Sequence, residues 1–448
     1  MTNARDEFGS KYGFILAAAG SAVGLGNIWS FPTNAADNGG GAFLLVYLLM
    51  TLVLAYPVFV TELVIGRHAK ANVFTALKTI SSGEASKFLS SVVGIICILT
   101  ASLILAFYAI VAGWMLAMVF ASILSAVGQE QLANWFSTFG LSRNITFLMV
   151  AMLLTSAIVL GGVKRGIEKW STRLMPSLLL IMIALIITVM TMKGATQGLK
   201  VYLLPDIRQI NGPLILSALG QAFFSMSLGV GTMMIYGSYL SKKEHLPRLA
   251  AGVTLMDIGV AFLAGLLILP AIFVAQNVGV NVVDEAGKLI ANDELIFVVL
   301  PALFENIGAA GVVIAIVFFS LLSIAALTSS ISMLEVPVAY ISEAFQLKRP
   351  KAVLVGSAII ATMSAIIAWK FELLFGLVIT ITTQYSQPMV GLLFCIYLGW
   401  VWHRQAVLEE IKAGFPEAEQ SWFWKIWPLH IKFVCPAIIF LIVITTIL

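Results

Sequence analysis

Long apolar stretches alternate with short polar ones from one end of this chain to the other. A helix needs ~20 apolar residues to cross a bilayer. Windows of that size give eleven spans, near 12–37, 42–67, 88–124, 143–161, 168–192, 213–240, 247–276, 309–344, 350–369, 374–400 and 427–447. No linker or low-complexity tract divides them, so the pattern predicts one all-α, polytopic membrane domain over 1–448. Residues 281–308, with Asp293, Glu294 and Glu305, are expected to form a partly helical outer lid, and 403–426 the main cytoplasmic loop. The opening MTNARDEFGSKYGF has no basic n-region or small-residue cleavage site, so the first apolar stretch is expected to be a retained helix.

Composition narrows the class. The 448 residues are 60% hydrophobic and 11% charged, where a soluble domain is about 25% charged. That excludes a soluble enzyme, a nucleic-acid binder and a disordered scaffold. Three cysteines inside apolar runs and four dispersed histidines offer neither a disulfide framework nor metal spacing. With the N-terminus inside, 20 of the 26 basic residues fall on cytoplasmic segments and 6 on outer ones. This positive-inside bias predicts a cytoplasmic N-terminus, and an odd span count then puts the C-terminus outside.

Spans 1 and 6 carry the same interruption. The first reads Gly20-Ser21-Ala22-Val23-Gly24-Leu25-Gly26-Asn27, the sixth Ser225-Met226-Ser227-Leu228-Gly229-Val230-Gly231. Each glycine costs about 1 kcal/mol against alanine in a helix interior. Gly20 and Gly24 alone are compatible with a close-packed GxxxG face. The recurrence five spans later favours broken helices in a five-plus-five inverted repeat, about 12–192 and 213–400 with an extra helix at about 427–447. Paired interruptions of this kind point to a central transporter site.

Three carboxylates, Glu62, Asp257 and Glu335, fall within spans, where each costs roughly 2.5–3.5 kcal/mol on insertion scales. Asp257, nearest mid-span, reads as a cation ligand or as a protonated, hydrogen-bonded acid. Glu62 and Glu335 are open between a water-linked and a transport role. In span 8, Ala325, Thr328 and Ser329 share one helix face. The hydroxyls can cap backbone carbonyls or, since hard cations take oxygen ligands, help hold a monovalent ion. Walker, GxSxG and dinucleotide sequences are absent, as is a paired-aspartate or Ser–His constellation at depth.

The segments GSAVGLGNIWSFP (20–32), DNGGGAF (37–43), FFSMSLGVG (223–231) and LTSS (327–330) resemble the neurotransmitter:sodium symporter family, in its bacterial branch. The resemblance runs over nearly the whole chain. It implies sodium-coupled symport by alternating access across a plasma membrane, with two sodium ions per substrate and no organic cofactor. The first sodium would meet the Ala22 carbonyl, Asn27, Ser225 and Asp257; the second the carbonyls of Gly20, Val23 and Ala325 and the hydroxyls of Thr328 and Ser329. The substrate carboxylate would meet the amides of Leu25 and Gly26 and the Tyr108 hydroxyl, at a half-helix N-terminus. The amine would face carbonyls of Ala22, Phe224 and Ser225 and the Ser227 hydroxyl. Ile104, Tyr108, Phe224, Met226, Val230, Ser329 and Met333 would surround the side chain.

Gly24 stands where monoamine carriers have an aspartate, which favours a substrate bringing its own carboxylate. The expected partners are therefore a hydrophobic L-amino acid, aliphatic or aromatic, and membrane lipid, with no nucleic acid and no obligatory protein. Arg5 and Glu343, with Tyr239 nearby, match the family's inner gate. At the outer gate Ser30 replaces an arginine and Leu374 lies near the missing acidic partner, so closure must use packing or another polar contact. Asp257 stands where asparagine is usual. Its charge would substitute for the chloride that relatives hold among residues matching Tyr47, Gln221 and Ser225, making transport chloride-independent. In span 5, Gly166 and Pro176 allow either an unwinding half-helix or a simple kink. A binding-only sensor is the rival reading; gates argue against it, and hydrophobic lids such as Phe224 argue against a channel.

Overall fold

The computed structural model describes residues 7–282 and 295–447, whose regular elements are all helices, with no strand among them. Eight helices are long and apolar enough to span a bilayer: Gly41–Ala69, Glu84–Ala126, Leu141–Leu160, Val163–Met190, Leu246–Asn277, Ala310–Ala344, Arg349–Trp369 and Trp422–Ile442. The remaining three spans are interrupted. Span 1 is Lys11–Ala22 plus Gly26–Asp37, bent by 52° at the break. Span 6 is Gly212–Ser225 plus Thr232–Ser238, separated by six non-helical residues' worth of chain at 226–231. Span 10 runs from Phe371–Ile379 through a wide turn at Thr380–Ser386, whose TITTQYS sequence puts polar groups at mid-span, into Gln387–Ile396. Eleven spans thus match the apolar pattern, with spans 1 and 6 broken where the glycines are.

Helix starts follow their caps. Ser10 accepts from the Gly13 amide at 2.9 Å to open span 1, and Asn211 accepts from Leu214 at 2.9 Å to open span 6. Such caps satisfy amides that have no partner within the helix. Span 5 keeps Pro176 inside a continuous helix, Lys169–Met190. The irregularity lies earlier, at the wide turn Val163–Glu168 holding Gly166.

Connecting segments carry more helix than the apolar pattern reveals, because elements of this length are too short to register as spans. Val73–Thr79, Glu130–Ser137, Ala195–Leu203 and Arg404–Lys412 all lie between spans. Span 11 begins at Trp422, within the segment expected as loop. Of the expected lid, Leu295–Val299 and Leu300–Asn306 are helical; Asp293 and Glu294 lie outside the described residues.

Candidate substrate and sodium site

The break in span 1 begins at Val23, whose extended backbone (ψ 90°) ends the first half-helix. Gly24 then accepts from the amides of Asn27 and Ile28 at 3.2 Å and starts the second half. In span 6, Ser227, Gly229 and Gly231 have φ of +51°, +72° and +77°. Left-handed backbone at every second residue cannot continue a right-handed helix. Glycine adopts it freely, but Ser227 does so at a cost of order 1–3 kcal/mol, a strain that concentrates at functional sites. The Ser227 hydroxyl donates to the Ser21 carbonyl at 3.0 Å, tying one break to the other.

Between the breaks lies a cavity lined by Ser21, Ala22, Gly24, Gly26, Ile104, Tyr108, Phe224, Ser227, Val230, Ser329, Met333 and Gln387. Nine of the expected substrate residues are among them: Ala22, Gly26, Ile104, Tyr108, Phe224, Ser227, Val230, Ser329 and Met333. Leu25, Ser225 and Met226 are not in the lining. The Leu25 amide donates to the Tyr108 hydroxyl at 3.0 Å, which joins the two groups expected to meet a carboxylate. A side chain at position 24 would collide with Ser329 and the Tyr108 hydroxyl, so glycine keeps this end of the cavity open. Ser21 and Gln387 are the lining residues that the motifs missed. Ser21 is at least a motif member, but nothing in the local sequence around Gln387 marks it.

Asp257 is fully buried. Its Oδ1 accepts from Asn27 Nδ2 and from Ser225 Oγ, both at 2.8 Å, and its Oδ2 from the Tyr47 hydroxyl at 3.1 Å. Asn27, Ser225 and Asp257 therefore meet around one carboxylate, with the Asn27 amide nitrogen turned toward it as a hydrogen-bond donor. Gln221 does not join them. Its Nε2 donates to the Gly26 carbonyl at 2.6 Å, and its Oε1 accepts from Ser30 Oγ at 2.7 Å and Asn34 Nδ2 at 3.2 Å.

On the other flank, Ser329 Oγ lies 3.4 Å from the Gly20 carbonyl and 3.1 Å from that of Ser21. Thr328 Oγ1 donates to the Ala325 carbonyl at 3.0 Å. A Cβ on Gly20 would touch the Thr328 side chain at 3.5 Å, so span 8 faces the first break closely. Gly20, Ala325, Thr328 and Ser329 thus gather at the first break, an oxygen cluster without a carboxylate.

Three further carboxylates find partners. Glu62 Oε1 accepts from the Gly229 amide at 2.8 Å, bracing the second break. Glu335 accepts from Arg349 at 3.0 and 2.6 Å and from the Tyr239 hydroxyl at 2.6 Å. Tyr239 is thereby paired with Glu335. Glu343 accepts from the Asn72 amide and side chain at 2.9 and 2.7 Å. Arg5 lies outside the described residues.

Comparison with known proteins settles the class. The model of the sodium:neurotransmitter symporter family matches residues 5–146 and 130–448. The chain belongs to the sodium:neurotransmitter symporter family. Among its relatives is the uncharacterised sodium-dependent transporter YhdH of Bacillus subtilis, 34% identical over 97% of this chain and 96% of that protein. An uncharacterised sodium-dependent transporter of Haemophilus influenzae is 31% identical over 98% of each. The crystal structure of MhsT in complex with L-phenylalanine superposes with a TM-score of 0.85, at 34% identity, covering 98% of this chain and 99% of that one. As a member of this family the chain is a multi-pass, sodium-dependent membrane transporter with the eleven-span, broken-helix fold.

Proposed function

We propose that this symporter imports hydrophobic L-amino acids, aliphatic and aromatic, with two sodium ions per substrate and without chloride. The observation that carries the reading is the mixed lining of the cavity between the breaks. It combines polar groups on Ser21, Tyr108 and Ser227 with the apolar side chains of Ile104, Val230, Phe224 and Met333. A zwitterion with an apolar side chain matches such a lining. The complex of MhsT with L-phenylalanine, at 34% identity, supports the same class.

Sodium 1 takes the Ala22 carbonyl, Asn27, Ser225 and Asp257; sodium 2 takes Gly20, Val23, Ala325, Thr328 and Ser329. Both are cargo. The half-helix N-terminus at Leu25 and Gly26 attracts the substrate carboxylate. Ser227, donating to Ser21, turns its lone pairs toward the amine. Asp257 supports chloride independence, because Tyr47 and Ser225 already donate to its carboxylate while Gln221 is engaged elsewhere.

Two sodium ions with a zwitterion move two charges, and at ~100 mV each contributes about 2.3 kcal/mol. The sum of about 4.6 kcal/mol sustains over three decades of substrate gradient at 1.4 kcal/mol per tenfold. The basic-residue asymmetry, 20 against 6, supports a cytoplasmic N-terminus and an outer C-terminus in a plasma membrane. The inner gate is formed by Arg5, Glu343 and Tyr239.

Uptake of labelled leucine and tryptophan into proteoliposomes, with an inward sodium gradient or choline in its place, tests the reading. Accumulation above the outside concentration with sodium alone is expected, unchanged when gluconate replaces chloride. Sodium-dependent binding without accumulation would instead identify a sensor.

A further inference from the structure

Gln387 lines the substrate cavity from span 10, is 1% exposed, and has one unused polar atom. Its Nε2 donates to the Phe223 carbonyl at 3.1 Å, and that contact fixes the amide, because only the nitrogen can donate to a carbonyl. Its Oε1 is buried and accepts no hydrogen bond among the described residues. A buried polar atom without a partner is destabilising enough to need an explanation.

The location says which part of a substrate would meet it. The Gln387 carbonyl packs against Gly229, where any Cβ would collide with it, and Gly229 precedes Val230. Ser386, the preceding residue, hydrogen-bonds to Thr100, one helical turn before Ile104. One turn further along span 10, Gly391 leaves room for the Phe223 ring. Gln387 is therefore held between the span 6 break, next to Val230, and the part of span 3 one turn before Ile104, two apolar residues of the same cavity lining. The Leu25 amide and Tyr108 hydroxyl that suit the carboxylate, and the Ser21–Ser227 contact that suits the amine, belong to spans 1, 3 and 6.

We propose that Gln387 Oε1 is a specificity-determining acceptor for a hydrogen-bond donor on the substrate side chain, with the indole N–H of tryptophan as the fitting class. This rests on the amino-acid reading above and sharpens it. With leucine bound, Oε1 stays unpaired; with tryptophan it gains a partner where water is excluded. A site of this kind discriminates against an isostere that lacks the donor more strongly than an apolar pocket discriminates by size.

The test compares binding of tryptophan, 3-benzothienylalanine (sulfur in place of the ring N–H) and leucine to the purified full-length transporter in saturating sodium, for wild type and Gln387→Met. Wild type is expected to prefer tryptophan over the sulfur isostere by about tenfold. In Gln387→Met that preference should fall to near unity, a ratio that cancels any loss common to both ligands. Equal wild-type affinity for the two isosteres overturns the proposal, whether or not the variant folds. So does a uniform loss of all three ligands in a folded Gln387→Met, which would assign the residue to the span 6 break alone. Failure of wild type to bind any of the three overturns the amino-acid reading itself, and this proposal with it.

Discussion

At the end that we assign to the cytoplasm, Glu410 collects Arg67, His68 and Lys242 around one carboxylate. At the opposite end Ser30, Gln221, Asn34 and Ser217 form a chain without any charge. Arg67 Nε donates to Glu410 Oε1 at 2.7 Å, with the two side chains 0% and 3% exposed. Arg67 also donates to the carbonyls of Glu410 and of Glu244. At the other end Ser30 Oγ donates to Gln221 Oε1 at 2.7 Å, and Ser217 Oγ to Asn34 Oδ1 at 3.0 Å. Removing one partner of a buried ion pair strands a charge, at about 3–5 kcal/mol. A neutral hydrogen bond nets about 0.5–1.5 kcal/mol. The basic end is thus anchored by contacts far stronger than those of the neutral chain, which is weak enough to open thermally.

The strongest challenge to this contrast is Glu410→Ala. It should destabilise the folded protein by about 3–5 kcal/mol, read as a fall in melting temperature in detergent micelles. A loss below 1 kcal/mol would erase the distinction between the ends. Acid probes the same anchor without mutation. Burial pushes the Glu410 carboxyl up, but His68, Lys242 and Arg67 outweigh it and hold the carboxyl down at about 2 against an ordinary 4.5. For an acid so depressed, the stabilisation is fully present above 4.5 and is lost as pH falls toward 2. Melting curves should therefore shift between those limits by the equivalent of up to roughly 3 kcal/mol, and Glu410→Gln should flatten the shift.

A smaller effect is expected of Glu335→Gln, which weakens charge-assisted bonds from Arg349 and Tyr239 worth about 1.5–3 kcal/mol. Arg349→Lys should cost only part of what Arg349→Ala costs, since it keeps the charge and gives up the fork. A double-mutant cycle between positions 335 and 349 isolates the pair. Least of all, Ser30→Ala should leave stability almost unchanged. It should shift the open–closed balance of the outer end by about fivefold, measured by fluorescence transfer between labels across that vestibule. A shift of a hundredfold would make the neutral chain a dominant latch.

The broken spans were legible from their sequence because Gly-x-Gly beside small polar residues is a local signal, and helix failure is a local event. The oxygen face of Ala325, Thr328 and Ser329 was legible for a similar reason, since i, i+3 and i+4 positions share a face on any helix. Asp257 stood out because an acid at mid-span is costly. Gln387 gave no such signal. It is the second glutamine of the polar stretch TITTQYSQ and looks like its neighbours until the fold turns it toward the cavity. Gln221 was expected beside Tyr47 and Ser225, but it reaches the Gly26 carbonyl and Ser30, because side-chain direction depends on which partners the neighbouring spans bring near.

Apolar run length and glycine spacing were enough, within one sequence, to determine a multi-pass protein with spans 1 and 6 interrupted. Each of these is set by the bilayer or by the backbone over a few residues. The partners of the buried polar groups were decided only by tertiary structure. Arg67 and Glu410 are 343 residues apart in the chain, and Asn27 and Asp257 are 230 apart. Local sequence preference does not reach across such separations. Packing brings these groups together, and the need to satisfy every buried donor and acceptor then selects which of them pair.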